Sequence, residues 1–133
     1  MLGTPSLRRL LLALPGAVFG DAGYMSGGAA GYELDRADRA LGTPPHALIV
    51  ARGEVDDPEY GMVNEDRLTH RPPKPLSELI CADMTFFETS AGGAVFSVGS
   101  MTYLGALGWN DYDNTVAVLT GNVLRRFLDE RRF

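Results

Sequence analysis

Two runs of alternating residues, joined by a turn-forming tetrapeptide, constrain the fold of this chain most. Ala82, Met84 and Phe86 occupy every second position of residues 82–88, and Ala94, Phe96 and Val98 do the same in residues 94–99. Successive side chains of a strand point to opposite faces, so each run sets one apolar row on one side. Between them, Ser90-Ala91-Gly92-Gly93 supplies the small residues that a tight reversal requires. The pattern predicts an antiparallel hairpin over 82–88 and 94–99.

A second period follows. Val116, Leu119, Val123 and Phe127 recur at i, i+3, i+7 and i+11, one apolar stripe of a helix over 113–130. Asp113 or Asn114 can cap its start. Arg125, Arg126, Arg131 and Arg132 stand at its negative end, where cations suit the helix dipole. Residues 46–51 (HALIVA) read as a short buried strand, and 101–107 as one or two helical turns. Residues 5–14 read as a short helix between Thr4-Pro5 and the Pro15-Gly16 stop. Residues 53–78, rich in proline, form an irregular excursion with one helical turn near Glu65. The chain is therefore expected to be a single α/β domain ending in a β-hairpin and a C-terminal helix.

Its 133 residues suffice for one core and not two. Seventeen Asp and Glu against twelve Lys and Arg give a net charge of -5, which argues against nucleic acid as a partner. The single cysteine, Cys81, permits no internal disulfide, so the chain reads as intracellular, and cytoplasmic, with Cys81 a buried inert thiol. Arg8-Arg9 before an apolar run resembles a signal peptide. Pro15-Gly16 interrupts that run, no small-residue cleavage site follows, and it is too short to span a bilayer. No membrane association is expected.

Candidate chemistry is sparse. Ser26-Gly27-Gly28-Ala29-Ala30-Gly31 approximates a dinucleotide-binding glycine motif with its first glycine replaced by serine. Such a motif needs a strand before it and an apolar helix after it, and residues 32–45 do not form one. Glu33, Asp35 and Asp38 follow the glycine-rich stretch. Each could serve as a general base or pair with Arg36 or Arg39, and spacing favours the ion pair. His46 and His70 are far apart and no cysteine stands at ligand spacing, so zinc is not expected. His46 reads as a packed histidine with a backbone partner. No G-x-S-x-G occurs, and Ser100 reads as the cap of the next turn. The loop from Trp109 to Asn114 could bind a ligand or simply cap the last helix.

Three longer stretches go further: residues 27–48 (GGAAGYELDRADRALGTPPHAL), 82–107 (ADMTFFETSAGGAVFSVGSMTYLGAL) and 110–129 (NDYDNTVAVLTGNVLRRFLD). In order and spacing they resemble the C-terminal region of the large (beta) subunits of N,N-dimethylformamidases and their relatives. The resemblance covers most of the chain from Gly20 onward. It departs at Tyr103-Leu104 and Gly108-Trp109, where relatives often carry Trp-Cys and Ser-His, and in the loop from Glu54 to Pro75.

The resemblance implies a partial domain similar to class I glutamine amidotransferases and ThuA-like proteins, incomplete at its N-terminus and packed against an upstream part of the same subunit. It implies hydrolysis of the C–N bond of a small formamide or related amide, in a homo-oligomer, at a mononuclear iron held by two tyrosines and a glutamate. Those ligands are expected outside this chain, so none of its five tyrosines is assigned to metal. One acidic residue near the iron comes from the glycine-rich motif. Glu33 is the best positional match, with Asp35 two residues away, and its carboxylate is expected to face a cleft beside the glycine loop. The isolated chain is then expected to be inactive. The rival is a non-catalytic, truncated or diverged α/β module for assembly or ligand binding.

Overall fold

The computed structural model describes residues 20–55, 60–61, 76–131 and 133. The helix expected over 5–14, the turn near Glu65, His70 and Arg132 lie outside them.

Three strands form one antiparallel sheet in the order β1-β2-β3: β1 (Leu48–Glu54), β2 (Cys81–Glu88) and β3 (Ala94–Ser97). The hairpin is as the alternation predicts. Phe86 pairs with Phe96 and Phe87 with Val95, and the Thr89 amide bonds the Gly93 carbonyl across the turn. Directly opposed residues share a face. One face carries Met84, Ala51 and Phe96, which pack with Tyr103, Ala106, Val116 and Leu119 into the core. Those last four come from two helices, α1 (Tyr103–Leu107) and α2 (Thr115–Phe127). The combination is α/β, a small antiparallel sheet covered by helices.

β1 corrects the expectation of a buried strand over 46–51. It runs later, and Ile49 is 49% exposed. Two causes are visible. β1 is an outer strand, and its register slips between Ile49 and Ala51. The slip places Val50 against the core and leaves Ile49 paired with Thr85 on the opposite face.

α2 forms where the stripe predicts. Asn114 caps it, its Oδ1 accepting from the Ala117 amide at 2.9 Å. Val116, Leu119 and Val123 are buried. Phe127 is not, at 40% exposure. The helix has left the core by its last turn, and Phe127 packs on the ring of Phe133, which also meets Phe86. The Arg126 guanidinium lies 3.8 Å from the Phe133 ring centroid.

Candidate functional site

The opposite face of the sheet and the glycine-rich loop hold most of the polar chemistry. In β2, Asp83 points away from Met84, and its side chain is fully buried. It is paired across the ladder with Arg52 of β1. Arg52 Nε donates to Asp83 Oδ1 at 2.7 Å and its terminal nitrogen to Oδ2 at 2.9 Å, a two-pronged contact. The Ala37 amide adds a third bond to Oδ2 at 2.8 Å. Burial opposes the charge of Asp83, but Arg52 and Ala37 outweigh it and hold the carboxyl below the usual carboxylate range. This residue was missed in the sequence. The available signal was a charged side chain inside an apolar strand run, which needs a partner.

Asp83 also organises the loop. Its amide donates to the Asp35 carbonyl at 2.9 Å, and the Asp35 amide donates to the Gly99 carbonyl at 2.8 Å. Gly99 must be glycine here. Its φ is +71°, and a Cβ would lie 2.5 Å from the Asp83 carbonyl oxygen. One step earlier, Leu34 forms a bridge with Ser100.

Two hydroxyls hold the segment before that. Thr102 is fully buried and Ser100 nearly so. The Gly31 amide donates to Thr102 Oγ1 at 2.7 Å, and Ser100 Oγ donates to the Tyr32 carbonyl at 2.6 Å. The two hydroxyl oxygens are 3.1 Å apart. Ser100 is thus no helix cap, since its side chain is committed to the glycine loop.

Glu33 sits between these anchors. It is exposed, and its backbone is left-handed at φ 49°. For a residue with a Cβ this costs roughly 1–2 kcal/mol. Such a conformation persists where the surroundings over-determine it, as the bonds on either side do here. Among the described residues its carboxylate has no hydrogen-bond or ion-pair partner. The ion pair goes to Asp38, which meets Arg36 at 2.7 Å and is held below its usual range chiefly by that contact.

A cavity of about 70 Å³ lies beside the loop, lined by Gly20, Ala29, Ala51, Arg52, Met84 and Tyr103 among others, but not by Glu33.

The other candidates are structural. The glycine motif leads into a three-residue 3-10 turn, Gly28–Ala30, and no helix begins there to meet a pyrophosphate. His46 Nε2 lies 3.0 Å from the Glu88 carbonyl oxygen, and its ring meets Phe87 edge-on. Cys81 is buried, and burial raises its thiol pKa. In the Trp109–Tyr112 turn, Asn110, Asp111 and Tyr112 have left-handed backbones. Asn114 ties that turn down through bonds from Nδ2 to the Leu107 and Trp109 carbonyls. Among the described residues no three His, Cys, Asp or Glu side chains converge to hold a metal ion. No helix among the described residues is long and apolar enough to cross a membrane.

The family described as "N,N-dimethylformamidase beta subunit-like, C-terminal" matches residues 11–114. The N,N-dimethylformamidase beta subunit of Alcaligenes sp is 43% identical over 113 residues, 84% of this chain and 15% of that protein. The N,N-dimethylformamidase beta subunit of Paracoccus aminophilus is 42% identical over 118 residues, 87% of this chain and 16% of that protein. The chain thus spans about a sixth of the length of these curated relatives. It belongs to the N,N-dimethylformamidase beta subunit-like C-terminal family.

Proposed function

We propose that this chain is the C-terminal segment of an amide-hydrolysing protein and that it lends Glu33 to a catalytic pocket built mainly from other sequence. The observation that supports this most is Glu33 itself. It is a strained and exposed carboxylate, unpaired among the described residues, on a loop whose backbone is tied to β2 and to the β3–α1 connection. A free carboxylate at a fixed place is what proton transfer requires. Glu33 accepts a proton from the water that attacks the amide carbonyl and returns it to the departing nitrogen, giving a carboxylic acid and an amine. The substrate class, a small formamide or related amide, follows the names of the relatives.

The remainder of the pocket belongs to an upstream part of the same domain or subunit, in a cytoplasmic homo-oligomer. Apolar surface left open here supports such a partner. Leu104, Tyr24 and Met25 are exposed around α1, and Tyr24 packs edge-on against Trp109. Sheet geometry supports it too, since β1 and β3 are both outer strands. We place the sheet within a larger domain of the class I glutamine amidotransferase or ThuA type.

The test is a chimera. This chain replaces the matching segment of the Paracoccus aminophilus beta subunit, and amine release from dimethylformamide is measured. The chimera is expected to turn over and the 133-residue chain alone to release no amine. Glu33→Gln in the chimera is expected to lower kcat about a hundredfold or more with assembly intact. Unchanged turnover returns Glu33 to the surface and favours a non-catalytic assembly module.

A further inference from the structure

We propose that Ser100 and Thr102 are positioning residues that aim Glu33, acting through a one-directional chain of hydrogen bonds. The inference rests on the role of Glu33 given above.

The direction of the chain follows from donor counting. The Tyr32 carbonyl can only accept, so the one hydroxyl hydrogen of Ser100 is spent on it. In the 3.1 Å contact between the hydroxyls Thr102 must therefore donate to Ser100. Thr102 Oγ1 remains the acceptor for the Gly31 amide. The sequence runs from the Gly31 N–H to Thr102, from Thr102 to Ser100, and from Ser100 to the Tyr32 carbonyl. Each bond polarises the next, and burial keeps water from competing.

This chain ends on the peptide unit that enters Glu33. The bridge between Leu34 and Ser100 holds the residue that leaves it. Ser100 thus bonds the residue before Glu33 and lies opposite the residue after it, where the Asp35 amide closes the bridge on the Gly99 carbonyl, while the Glu33 side chain has no partner among the described residues. The backbone fixes where the Glu33 side chain starts, and Ser100 and Thr102 hold that backbone on one side while the bonds of Asp35 to Gly99 and Asp83 hold it on the other. A purely structural latch between loop and helix could be apolar. These two residues instead satisfy two of the three peptide groups that precede one left-handed glutamate.

The test uses the same chimera and a double-mutant cycle with Glu33→Gln. Ser100→Ala is expected to lower kcat about tenfold with KM changed less than about twofold, the signature of a misaimed group rather than lost binding. Ser100→Thr keeps the hydroxyl and should restore turnover to within about twofold. In the Glu33→Gln background, Ser100→Ala should lower turnover no further. Should Ser100→Ala fail to fold, Thr102→Val, which is nearly isosteric and cuts the chain at its other link, is read by the same criteria, with Thr102→Ser as its rescue. A full effect of Ser100→Ala in the Glu33→Gln background, or no rescue by Ser100→Thr, overturns the proposal while leaving the role of Glu33 standing. No effect of Glu33→Gln alone removes both.

Discussion

Val116, Leu119 and Val123 on α2 are buried among apolar side chains, and their spacing in the chain repeats the turn of the helix that carries them. Glu33 is exposed, and the bonds that hold its segment reach to Asp83, Gly99, Ser100 and Thr102, far along the sequence. The first region is held by area removed from water, which tolerates small shifts. The second is held by directional bonds to backbone groups, which fix a position and leave a side chain free. Packing builds the frame, and a few buried polar groups place one strained residue upon it.

The comparison breaks most visibly at α2. Leu119→Ala should destabilise the chain by about 3 kcal/mol, since it empties a buried site in the core cluster. Phe127→Ala should cost about half of that, because the ring is already partly in water. Denaturant melts of the two variants check the ratio. Equal losses would mean that the core extends through the last turn of α2.

A smaller effect is expected where the two regions meet, at the ion pair beneath the loop. Arg52→Met leaves Asp83 buried with only the Ala37 amide on its carboxylate. The cost should be about 2 kcal/mol. It lies below the range for fully buried pairs because the Arg52 side chain is 43% exposed and water screens it. The pH dependence sharpens the assignment. A carboxyl held below its usual range contributes stability that is full above the unfolded value, about 4, and fades as pH falls through the folded value. The gap between the native chain and Arg52→Met should therefore be widest above about pH 4 and shrink below it. A gap that is flat between pH 7 and pH 3 would remove Asp83 from the account.

The frame was legible in the sequence because its residues repeat at the period of their own element. The hairpin and the Val116, Leu119, Val123 stripe required no other information. The stripe could not say where the core ends, so Phe127 was expected inside. Strand order is not written in an apolar run either, so residues 46–51 gave no sign that β1 would lie at the edge of the sheet. The site was barely legible. Ser100 reads as a cap in the sequence because its partner, the Tyr32 carbonyl, is a backbone group that any residue would carry. Asp83 was hidden by the alternation of its own strand. Glu33 entered through resemblance to a family, since nothing in its spacing separates it from Asp35.

The measurement that bears most directly on the account pairs stability and turnover in one substitution, Glu33→Gly. Glycine adopts the left-handed backbone at φ 49° without the penalty that glutamate carries. If the strain at Glu33 is kept for function, the substitution should stabilise the 133-residue chain by about 1 kcal/mol in a denaturant melt, while lowering kcat of the chimera about a hundredfold or more. A chain that is destabilised by the glycine, or a chimera that turns over as before, would contradict the claim that this loop holds a strained carboxylate in place for catalysis.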